Sequence, residues 1–246
     1  MRGVLKSRAP ATQLVDLAHH VPRGDVRKAS RVLARAAVCF PRGAVHLVVV
    51  DPGVGSARRP LVMSVGGHLF VAPDNGVLDG VSAALGGAEE TRHITHPALF
   101  AATVSATFHG RDVFAPTAGA LAAGFAFPDV GALVRDRVRL AETPVTETAE
   151  GWIGEVVEID QYGNLITNLD AGDVGPRVEV RVHGSALTGP SSSYSAVDVG
   201  AAVLVVGSTG TLEIAVRDGS AAHRFGVALG DEVACSPVVE APQSAP

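Results

Sequence analysis

The stretch VVVDPGVGSAR, which runs from Val48 to Arg58, decides how the first half of the chain is interpreted. An apolar, valine-rich run ends at Asp51, and a proline and two glycines follow. In open α/β sheets, ligands bind beyond the carboxyl ends of strands, so an acid placed here is a candidate site residue. The proline and glycines permit a sharp turn, which would return Arg58 to the neighbourhood of Asp51. Two interpretations stay open: an arginine that orients a carboxylate, or a turn-capping acid beside a surface arginine.

The elements predicted around this stretch indicate an α/β domain. The apolar run Val45 to Val50 is typical of a strand buried on both faces. Gly66-Gly67 separates two β-rich runs and predicts a hairpin. Helix, buried strand, hairpin and helix in this order favour a mostly parallel sheet. The predicted helices are Val26 to Phe40, capped by Asp25 and ended by Pro41-Arg42-Gly43, Val77 to Leu85, and Asp112 to Ala123; the hairpin strands are Leu61 to Val65 and His68 to Ala72.

The character of the sequence changes after about residue 140. A polar segment leads into short β-rich runs separated by turn residues, which is typical of a small all-β, barrel-like domain. We therefore expect an α/β N-terminal domain over 1–140, a linker over 141–151, a β-barrel domain over 152–235 and a flexible tail over 236–246. The β-rich runs are Trp152 to Ile159, Leu165 to Leu169, Val178 to Val182, Ala201 to Val206 and Leu212 to Val216.

Composition excludes several classes of protein. Hydrophobic residues make up 47% of the 246 residues and charged residues 18%, so a sizeable core is expected. The net charge of -5 gives no support for nucleic-acid binding. No apolar run approaches the roughly 20 residues that a membrane helix needs, and the N-terminus lacks a signal-peptide core. Two distant cysteines, Cys39 and Cys235, fit a reducing compartment, so we expect a cytoplasmic location.

Two further polar stretches lie in the first half. TFHGRD, Thr107 to Asp112, places a histidine before a predicted helix, where it can be partly exposed and titratable. The alternative is an ordinary hydrogen-bonded loop histidine, with Arg111 and Asp112 forming local salt bridges and a helix cap. PDNG, Pro73 to Gly76, is a strong turn sequence, for which turn geometry is the default role and ligand contact an alternative.

Two more candidates have equally plain alternatives. DQYGN, Asp160 to Asn164, places an acid, an aromatic ring and an amide around one glycine, which suits a polar planar ligand or a simple hairpin turn. His19-His20, with Asp16 nearby, raises the possibility of a metal site. Adjacent histidines rarely ligate one ion together, and no HExxH-like spacing is present, so no metal site is predicted.

Taken together, the motifs carry a more specific signal than any one of them. The chain resembles the S-adenosylmethionine hydroxide adenosyltransferase family, which also includes fluorinating and chlorinating enzymes. The resemblance implies an α/β domain followed by a β-barrel, and a homotrimer whose ligand lies between subunits. It implies hydrolysis of S-adenosylmethionine to adenosine and methionine without a metal or organic cofactor. The matching stretches are DLAHHVPRGDVR, VVVDPGVGSARRPL, VAPDNGVL, TFHGRDVFAPTAGALAAG, GEVVEIDQYGNLITNL and GSTGTLEIAV.

The resemblance also assigns catalytic positions. The family combines an acid, an arginine seven residues later and the histidine of TFHG, which match Asp51, Arg58 and His109. Halogenating relatives carry an aromatic residue in place of the acid and lack the histidine. The fluorinating type has a serine at the position of Gly110. Because a carboxylate would repel a halide, the resemblance favours hydrolysis over halogenation.

Ligand contacts are carried over from the same resemblance. Asp160 and Asn164 match positions that hold the methionine part of the substrate, and Tyr162 matches an aromatic near the ligand. Ser208 and Thr209 match positions at the adenine edge, and Tyr194 is expected to stack on the adenine face. The remaining predicted substrate-binding residues are Phe108, Gly110, Asp74 and Asn75.

Two departures from the family pattern affect the expectation. The first strand of the family and its ribose-binding aspartate have no counterpart before MRGVLKSRAP, which indicates a misplaced start codon or a truncated molecule. Gly24 stands where relatives often carry an aromatic residue near the ligand. A non-catalytic nucleoside-binding protein and a halogenase therefore stay open as alternatives.

Overall fold

The structure, a computed structural model, describes residues 1–86, 89–141 and 143–238. The chain divides into two compact units, Met1–Ala141 and Glu142–Pro246. Each unit has its own hydrophobic core, so each is described separately.

The N-terminal unit contains a mixed four-stranded sheet in the order β1-β3-β2-β4. The expectation of a mostly parallel sheet is not confirmed. Within the described residues β1 and β3 are parallel, whereas β2 pairs antiparallel with both β3 and β4. The tight Gly66-Gly67 turn makes β2 and β3 a hairpin, and a hairpin is antiparallel by construction. The strands are β1 Val45–Leu47, β2 Pro60–Val65, β3 His68–Pro73 and β4 Glu90–His93.

Helices cover both faces of this sheet. Successive strand residues point to opposite faces, so Met63 packs with α2 and α3, whereas Val62 packs with α4 and its surroundings. The helices are α1 Arg2–Arg8, α2 Val26–Ala37, α3 Asp79–Leu85 and α4 Ala115–Ala122; a π-helical turn, Gly110–Phe114, leads into α4, and 3₁₀ turns span Pro97–Leu99 and Phe127–Val130.

The predicted helices are present, with shifted ends. Asp25 caps α2 by accepting a hydrogen bond from the backbone N–H of Lys28 at 2.8 Å, as the sequence indicates, but α2 ends at Ala37 rather than Phe40. The helix predicted from Asp112 begins instead as the π-helical turn. Pro116 explains the irregularity, because it lacks the N–H that would bond the carbonyl of Asp112. That carbonyl accepts from the N–H of Ala101 at 2.8 Å instead.

The C-terminal unit is an antiparallel sheet that is nearly closed into a barrel, as expected. The strand order is β10-β11-β7-β6-β12-β8-β9, with β5 paired to β6. Ser191, just after β9, donates from its backbone N–H to the carbonyl of Leu204 in β10 at 2.7 Å, which brings the two ends of the sheet together. The strands are β5 Thr146–Thr148, β6 Gly151–Ile159, β7 Leu165–Asp170, β8 Val178–Val182, β9 Ser185–Gly189, β10 Ala202–Val206, β11 Thr211–Val216 and β12 Glu232–Pro237; short helices α5 Ala171–Val174 and α6 Ala221–Phe225 and a 3₁₀ turn Tyr194–Ala196 connect them.

Both segments predicted to be irregular contain strand residues. The strand β5 lies inside the segment expected to be a linker, and β12 continues to Pro237, two residues into the expected tail. Residues 239–246 of that tail lie outside the described residues. Within the described ranges, no helix is both long enough and apolar enough to cross a lipid bilayer.

Candidate active site

Asp51 and Arg58 form a buried ion pair just beyond the carboxyl end of β1. The Nε of Arg58 donates to Oδ1 of Asp51 at 2.9 Å and to Oδ2 at 3.0 Å, and Nη2 also donates to Oδ2. Only 5% of the Asp51 side chain and 9% of the Arg58 side chain are exposed. Of the two interpretations that the sequence leaves open, the oriented pair is the one that the structure contains.

The turn between these two residues is closed by its own backbone. The N–H of Val54 donates to the carbonyl of Asp51 at 3.3 Å, and the hydroxyl of Ser56 donates to the carbonyl of Gly53 at 2.7 Å. Gly55 has φ +81°, and a Cβ there would lie 2.8 Å from the carbonyl oxygen of Ala106. Glycine is therefore required twice, by its backbone conformation and by the close approach of the segment that leads to His109.

His109 completes the cluster from a distant part of the chain. Its Nδ1 lies 2.7 Å from Nη2 of Arg58. A guanidinium has donors and no acceptor, so Nδ1 of His109 accepts this hydrogen bond. In this arrangement the proton of a neutral imidazole is on Nε2, which makes Nε2–H a donor.

The π-helical turn after His109 supports the guanidinium from the other side. Phe114, the last residue of that turn, is fully buried, and its ring centroid lies 5.0 Å from Cζ of Arg58. An arginine over an aromatic face is stabilised by cation–π attraction. π-helical turns often occur at functional sites, where the extra residue re-aims a side chain. Phe114 belongs to the site, and the sequence analysis missed it.

Asp112 holds the loop that precedes His109. Its carboxylate accepts from the N–H of Ser105 at 2.9 Å and from Nε of Arg111 at 2.6 Å. The guanidinium of Arg111 and the N–H of Ser105 lower the pKa of Asp112 to about 2. The salt bridge that the sequence allowed for these two residues is present, but the helix cap is not: Asp112 lies inside the π-helical turn, and its carboxylate instead clamps the preceding loop at Ser105. The clamp fixes the segment that contacts Gly55.

Phe108 and Gly110 flank His109. The Phe108 side chain is 54% exposed, and Cζ of Arg111 lies 4.7 Å from its ring centroid. A Cβ on Gly110 would lie 3.1 Å from Sδ of Met1 and 3.4 Å from Cγ1 of Val49. A side chain larger than glycine at position 110 would therefore displace a neighbour.

The side chains of Asp74 and Asn75, which we expected to contact substrate, form hydrogen bonds with other residues of the protein. The Asp74 carboxylate accepts from Nε of Arg59 at 2.8 Å and from the N–H of Val138 at 2.8 Å. The side-chain amide of Asn75 donates to the carbonyl of Val50 at 2.9 Å. The partners Val50 and Arg59 lie next to Asp51 and Arg58 in the chain.

In the C-terminal unit, Asp160 organises the loop between β6 and β7. Its Oδ1 accepts from the N–H of Tyr162 at 2.8 Å and from the N–H of Asn164 at 2.9 Å, and its Oδ2 accepts from the Asn164 amide at 3.1 Å. Gly163 has φ +82°, which suits a tight turn. The loop holds Tyr162 with 68% of its surface exposed, so its ring is free to meet a ligand.

Tyr194 is anchored by a buried carboxylate. Its hydroxyl donates to Oε1 of Glu213 in β11 at 2.7 Å. Burial and the neighbouring Glu213 carboxylate raise the pKa of Tyr194 to about 12, with a smaller effect from Asp160. The field of Asp160 therefore reaches Tyr194. Ser208 and Thr209 lie in the turn between β10 and β11, where the hydroxyl of Thr209 is 3.2 Å from that of Thr211.

The predicted residues thus form two groups, one in each unit. Two residues that sequence reasoning missed contact predicted ones: Phe114 contacts Arg58, and Glu213 contacts Tyr194. His19 lies 3.3 Å from Asp16 as an exposed pair. Across the described part of the chain, no group of three or more His, Cys, Asp or Glu side chains is placed to hold a metal ion.

Comparison with known families gives matches in both units. Residues 1–131 match the SAM hydroxide adenosyltransferase N-terminal domain, and residues 154–234 match the C-terminal domain of the same family. A crystal structure of an uncharacterized conserved protein from Thermotoga maritima superposes with a TM-score of 0.87 at 38% identity, covering 96% of this chain and 93% of that chain.

Named relatives divide by degree of similarity. A Salinispora tropica protein named (R)-S-adenosyl-L-methionine hydrolase is 41% identical over 242 residues, 94% of this chain and 89% of that protein. A Thermus thermophilus protein of the same name is 42% identical over 237 residues, 94% of this chain and 90% of that protein. A fluorinase from Nocardia brasiliensis is more distant, 24% identical across 94% of this chain and 89% of its own length.

Proposed function

The chain belongs to the SAM hydroxide adenosyltransferase family, and from that premise we propose that it hydrolyses S-adenosyl-L-methionine to adenosine and L-methionine. The observation that carries the proposal is the contact of Asp51, Arg58 and His109 in one partly buried cluster of the N-terminal unit. We assign the catalytic role to this unit and to these three side chains.

The chemistry of the substrate explains why such a cluster is sufficient. The sulfonium sulfur leaves as a neutral thioether, so no acid is needed at the leaving group. Water forms a bond to the ribose C5′ as the bond from C5′ to sulfur breaks, and one proton is released. The difficult part is to place a water in line and to accept its proton, which is the task of positioned donors and a base. The reaction as proposed requires no metal or organic cofactor.

The hydrogen bonds divide the roles among the three side chains. Nη1 of Arg58 has no protein partner among the described residues, so it is available to donate to the attacking oxygen as negative charge develops there. Nε2–H of His109 is a second donor, because its Nδ1 is occupied by Arg58. Asp51 is the remaining base, because in the described part of the chain its Oδ1 accepts only from Nε of Arg58 and keeps a lone pair. Asp51 therefore takes the proton and the other two orient the water.

The substrate-binding group belongs to the C-terminal unit. In this proposal Asp160 and Asn164 bind the amino-acid part of the substrate, and Tyr162 lines it. Tyr194 stacks on the adenine, whose edge meets Ser208 and Thr209. The hydrogen bond between Tyr194 and Glu213 supports the stacking role, because it fixes the ring before ligand arrives.

We propose that the working form is a homotrimer in which the N-terminal unit of one subunit faces the C-terminal unit of another. Three exposed apolar residues of the N-terminal unit support this arrangement: Val54 in the loop between Asp51 and Arg58, Phe108 next to His109, and Val104 in the segment before it. Mixing an Arg58→Lys subunit with a Tyr194→Ala subunit tests it. Recovery of activity above either parent supports shared sites, and no recovery in verified mixed trimers contradicts them.

A cytoplasmic location is also part of the proposal, supported by the two unpaired cysteines, Cys39 and Cys235.

Halogenation is the competing reaction of the family. The Asp51 carboxylate argues against it, because a buried negative charge repels a halide ion. The higher identity to hydrolases than to the fluorinase agrees with hydrolysis. The deciding experiment incubates the protein with S-adenosyl-L-methionine, with and without fluoride or chloride, and separates the products by chromatography. Adenosine formed at the same rate in both cases supports hydrolysis, whereas a halide-dependent product or bound but unconverted substrate contradicts it.

A further inference from the structure

The turn that follows β3 holds both ends of the loop that carries Asp51 and Arg58. On one side, the Asn75 amide donates to the carbonyl of Val50 at 2.9 Å, one residue before Asp51. On the other side, the N–H of Asp74 donates to the carbonyl of Arg59 at 2.8 Å, one residue after Arg58. Two adjacent residues, one through its side chain and one through its backbone, thus contact the two residues that bracket the catalytic loop.

Sheet topology explains why one turn reaches both ends. In the strand order β1-β3-β2, β3 lies between the strand that leads to Asp51 and the strand that follows Arg58. It is parallel to β1 and antiparallel to β2, so its carboxyl end meets the end of one and the start of the other. The residues just beyond β3 therefore meet the two ends of the loop, Val50 and Arg59, which we call its feet.

The side chain of Asp74 reinforces the hold on Arg59. Only 4% of it is exposed, and its two oxygens accept from Nε of Arg59 and from the N–H of Val138, each at 2.8 Å. Arg59 also donates from Nη1 to Asp136 at 2.8 Å. Its hydrogen bonds to both carboxylates raise the pKa of Arg59. The backbone next to Arg58 is therefore held by a charged network of Arg59, Asp74 and Asp136.

Both polar atoms of the Asn75 side chain are engaged with backbone groups. Its amide nitrogen bonds Val50, and its oxygen accepts from the N–H of Val77 at 3.2 Å. We infer that Asp74 and Asn75 are positioning residues, which set the distance between Asp51 and Arg58 by holding the feet of their loop, and that they do not bind substrate. This inference rests on the proposed hydrolase function of the same site.

Asn75→Asp tests the inference with a small change. The carboxylate has the same shape but cannot donate to Val50, so the foot of the loop is released and meets a repelling oxygen. Because a misplacement of about 1 Å can cost up to about 100-fold in rate, we expect kcat to fall about tenfold while KM changes less than about twofold. If Asn75 bound substrate instead, KM would rise and kcat would stay unchanged, and that result would overturn the inference.

Asn168→Asp is the matched control. Asn168 has the same pattern of bonds in the C-terminal unit, where its amide donates to the carbonyl of Thr143 at 3.0 Å and its oxygen accepts from the N–H of Glu155 at 2.7 Å. We expect kcat of this variant to equal that of the wild type. Arg59→Lys is a second test, at the other end of the loop, and Arg181→Lys is its control. For Arg59→Lys we again expect kcat to fall while KM changes little, and for Arg181→Lys we expect both to stay unchanged.

Hydrogen exchange of the 51–58 segment gives a readout that does not depend on turnover. We expect amide exchange there to speed up about tenfold in Asn75→Asp and to stay unchanged in Asn168→Asp. Unchanged exchange and unchanged kcat in Asn75→Asp would overturn the positioning role. A wild-type protein without hydrolase activity would contradict the proposed function alone, since the exchange measurement would still decide whether the turn holds the loop.

Discussion

Nη2 of Arg58 lies 2.7 Å from Nδ1 of His109, across 51 positions of sequence, while the same guanidinium is bonded to Asp51. One side chain therefore sets the orientation of both a carboxylate and an imidazole. The arginine is the centre of the cluster, and its Cζ lies over the ring of Phe114, 5.0 Å from the ring centroid. Substitution of Arg58 should therefore reduce activity more than substitution of the residues that surround Asp51 or His109.

Arg58→Lys should reduce kcat by at least about 100-fold, because an ammonium cannot bond Asp51 through two nitrogens and reach His109 as well. The melting temperature should fall only slightly, since the charge is kept. Adenosine formation measured by chromatography provides the check. Arg181→Lys, which changes an exposed arginine paired with Glu179, is the matched control and should keep full activity. A lysine variant at position 58 with wild-type kcat would refute the role of the guanidinium fork.

His109→Gln and His109→Leu separate orientation from proton transfer. Glutamine supplies an acceptor for Arg58 and a donor for water, whereas leucine supplies neither. If His109 orients the water, the glutamine variant should retain about a tenth of kcat and the leucine variant about a hundredth or less. Steady-state rates at saturating substrate give the comparison. Equal loss in the two variants would assign the proton to His109 and would be inconsistent with Asp51 as the base.

Tyr194 should matter to binding through its ring. Tyr194→Phe keeps the ring and loses the hydrogen bond to Glu213, whereas Tyr194→Ala loses both. Base–aromatic stacking is worth about 1–3 kcal/mol, so adenosine should bind about 5- to 150-fold more weakly to the alanine variant. The phenylalanine variant should bind nearly as the wild type does. Calorimetry measures both, and equal affinities of the two variants would show that the adenine lies elsewhere.

Stability should depend on pH through His46. Burial, with a smaller contribution from the charge of His68, lowers the pKa of His46 from 6.5 to about 4. Between those values the unfolded chain binds a proton that the folded chain does not, so stability rises with pH. The contribution of His46 to the free energy of unfolding is fully present above about pH 6.5. As the pH falls toward 4, the free energy of unfolding decreases by up to about 3 kcal/mol.

His46→Phe isolates this contribution, since His46 already stacks on Phe70 with ring centroids 4.6 Å apart. Urea unfolding at pH 7 and pH 5 should show a smaller pH effect in this variant than in the wild type. His223→Phe, at an exposed position, should leave the pH effect unchanged. The same pH effect in wild type and His46→Phe would assign it to other groups.

The local features of the fold were predictable from sequence, and the long-range pairings were not. The Asp25 cap and the Gly66-Gly67 hairpin follow from turn and cap chemistry. The apolar pattern of Val45 to Val50 indicates a buried strand but does not set the direction of the neighbouring strands. The prediction of a mostly parallel sheet is therefore not confirmed. The strand itself is shorter than predicted and ends at Leu47.

The candidate site shows the same division between local features, which the sequence predicts, and long-range contacts, which it does not. The contact between Asp51 and Arg58 was reachable from a turn of known composition, whereas His109 entered through the family resemblance, because nothing local points across 51 residues. Asp74 and Asn75 were expected to touch ligand. Their contacts with Arg59 and Val50 depend on β3 lying between β1 and β2, which no local motif reveals.

Hydrolysis in water enriched in oxygen-18 tests the central claim most directly. If water held by the cluster attacks the ribose C5′, adenosine should gain one heavy oxygen at its 5′-hydroxyl and methionine none, as read by mass spectrometry. The Asp51→Asn variant should lose this labelled product by at least about 100-fold. Unlabelled adenosine, label in methionine, or undiminished labelling by Asp51→Asn would contradict the account.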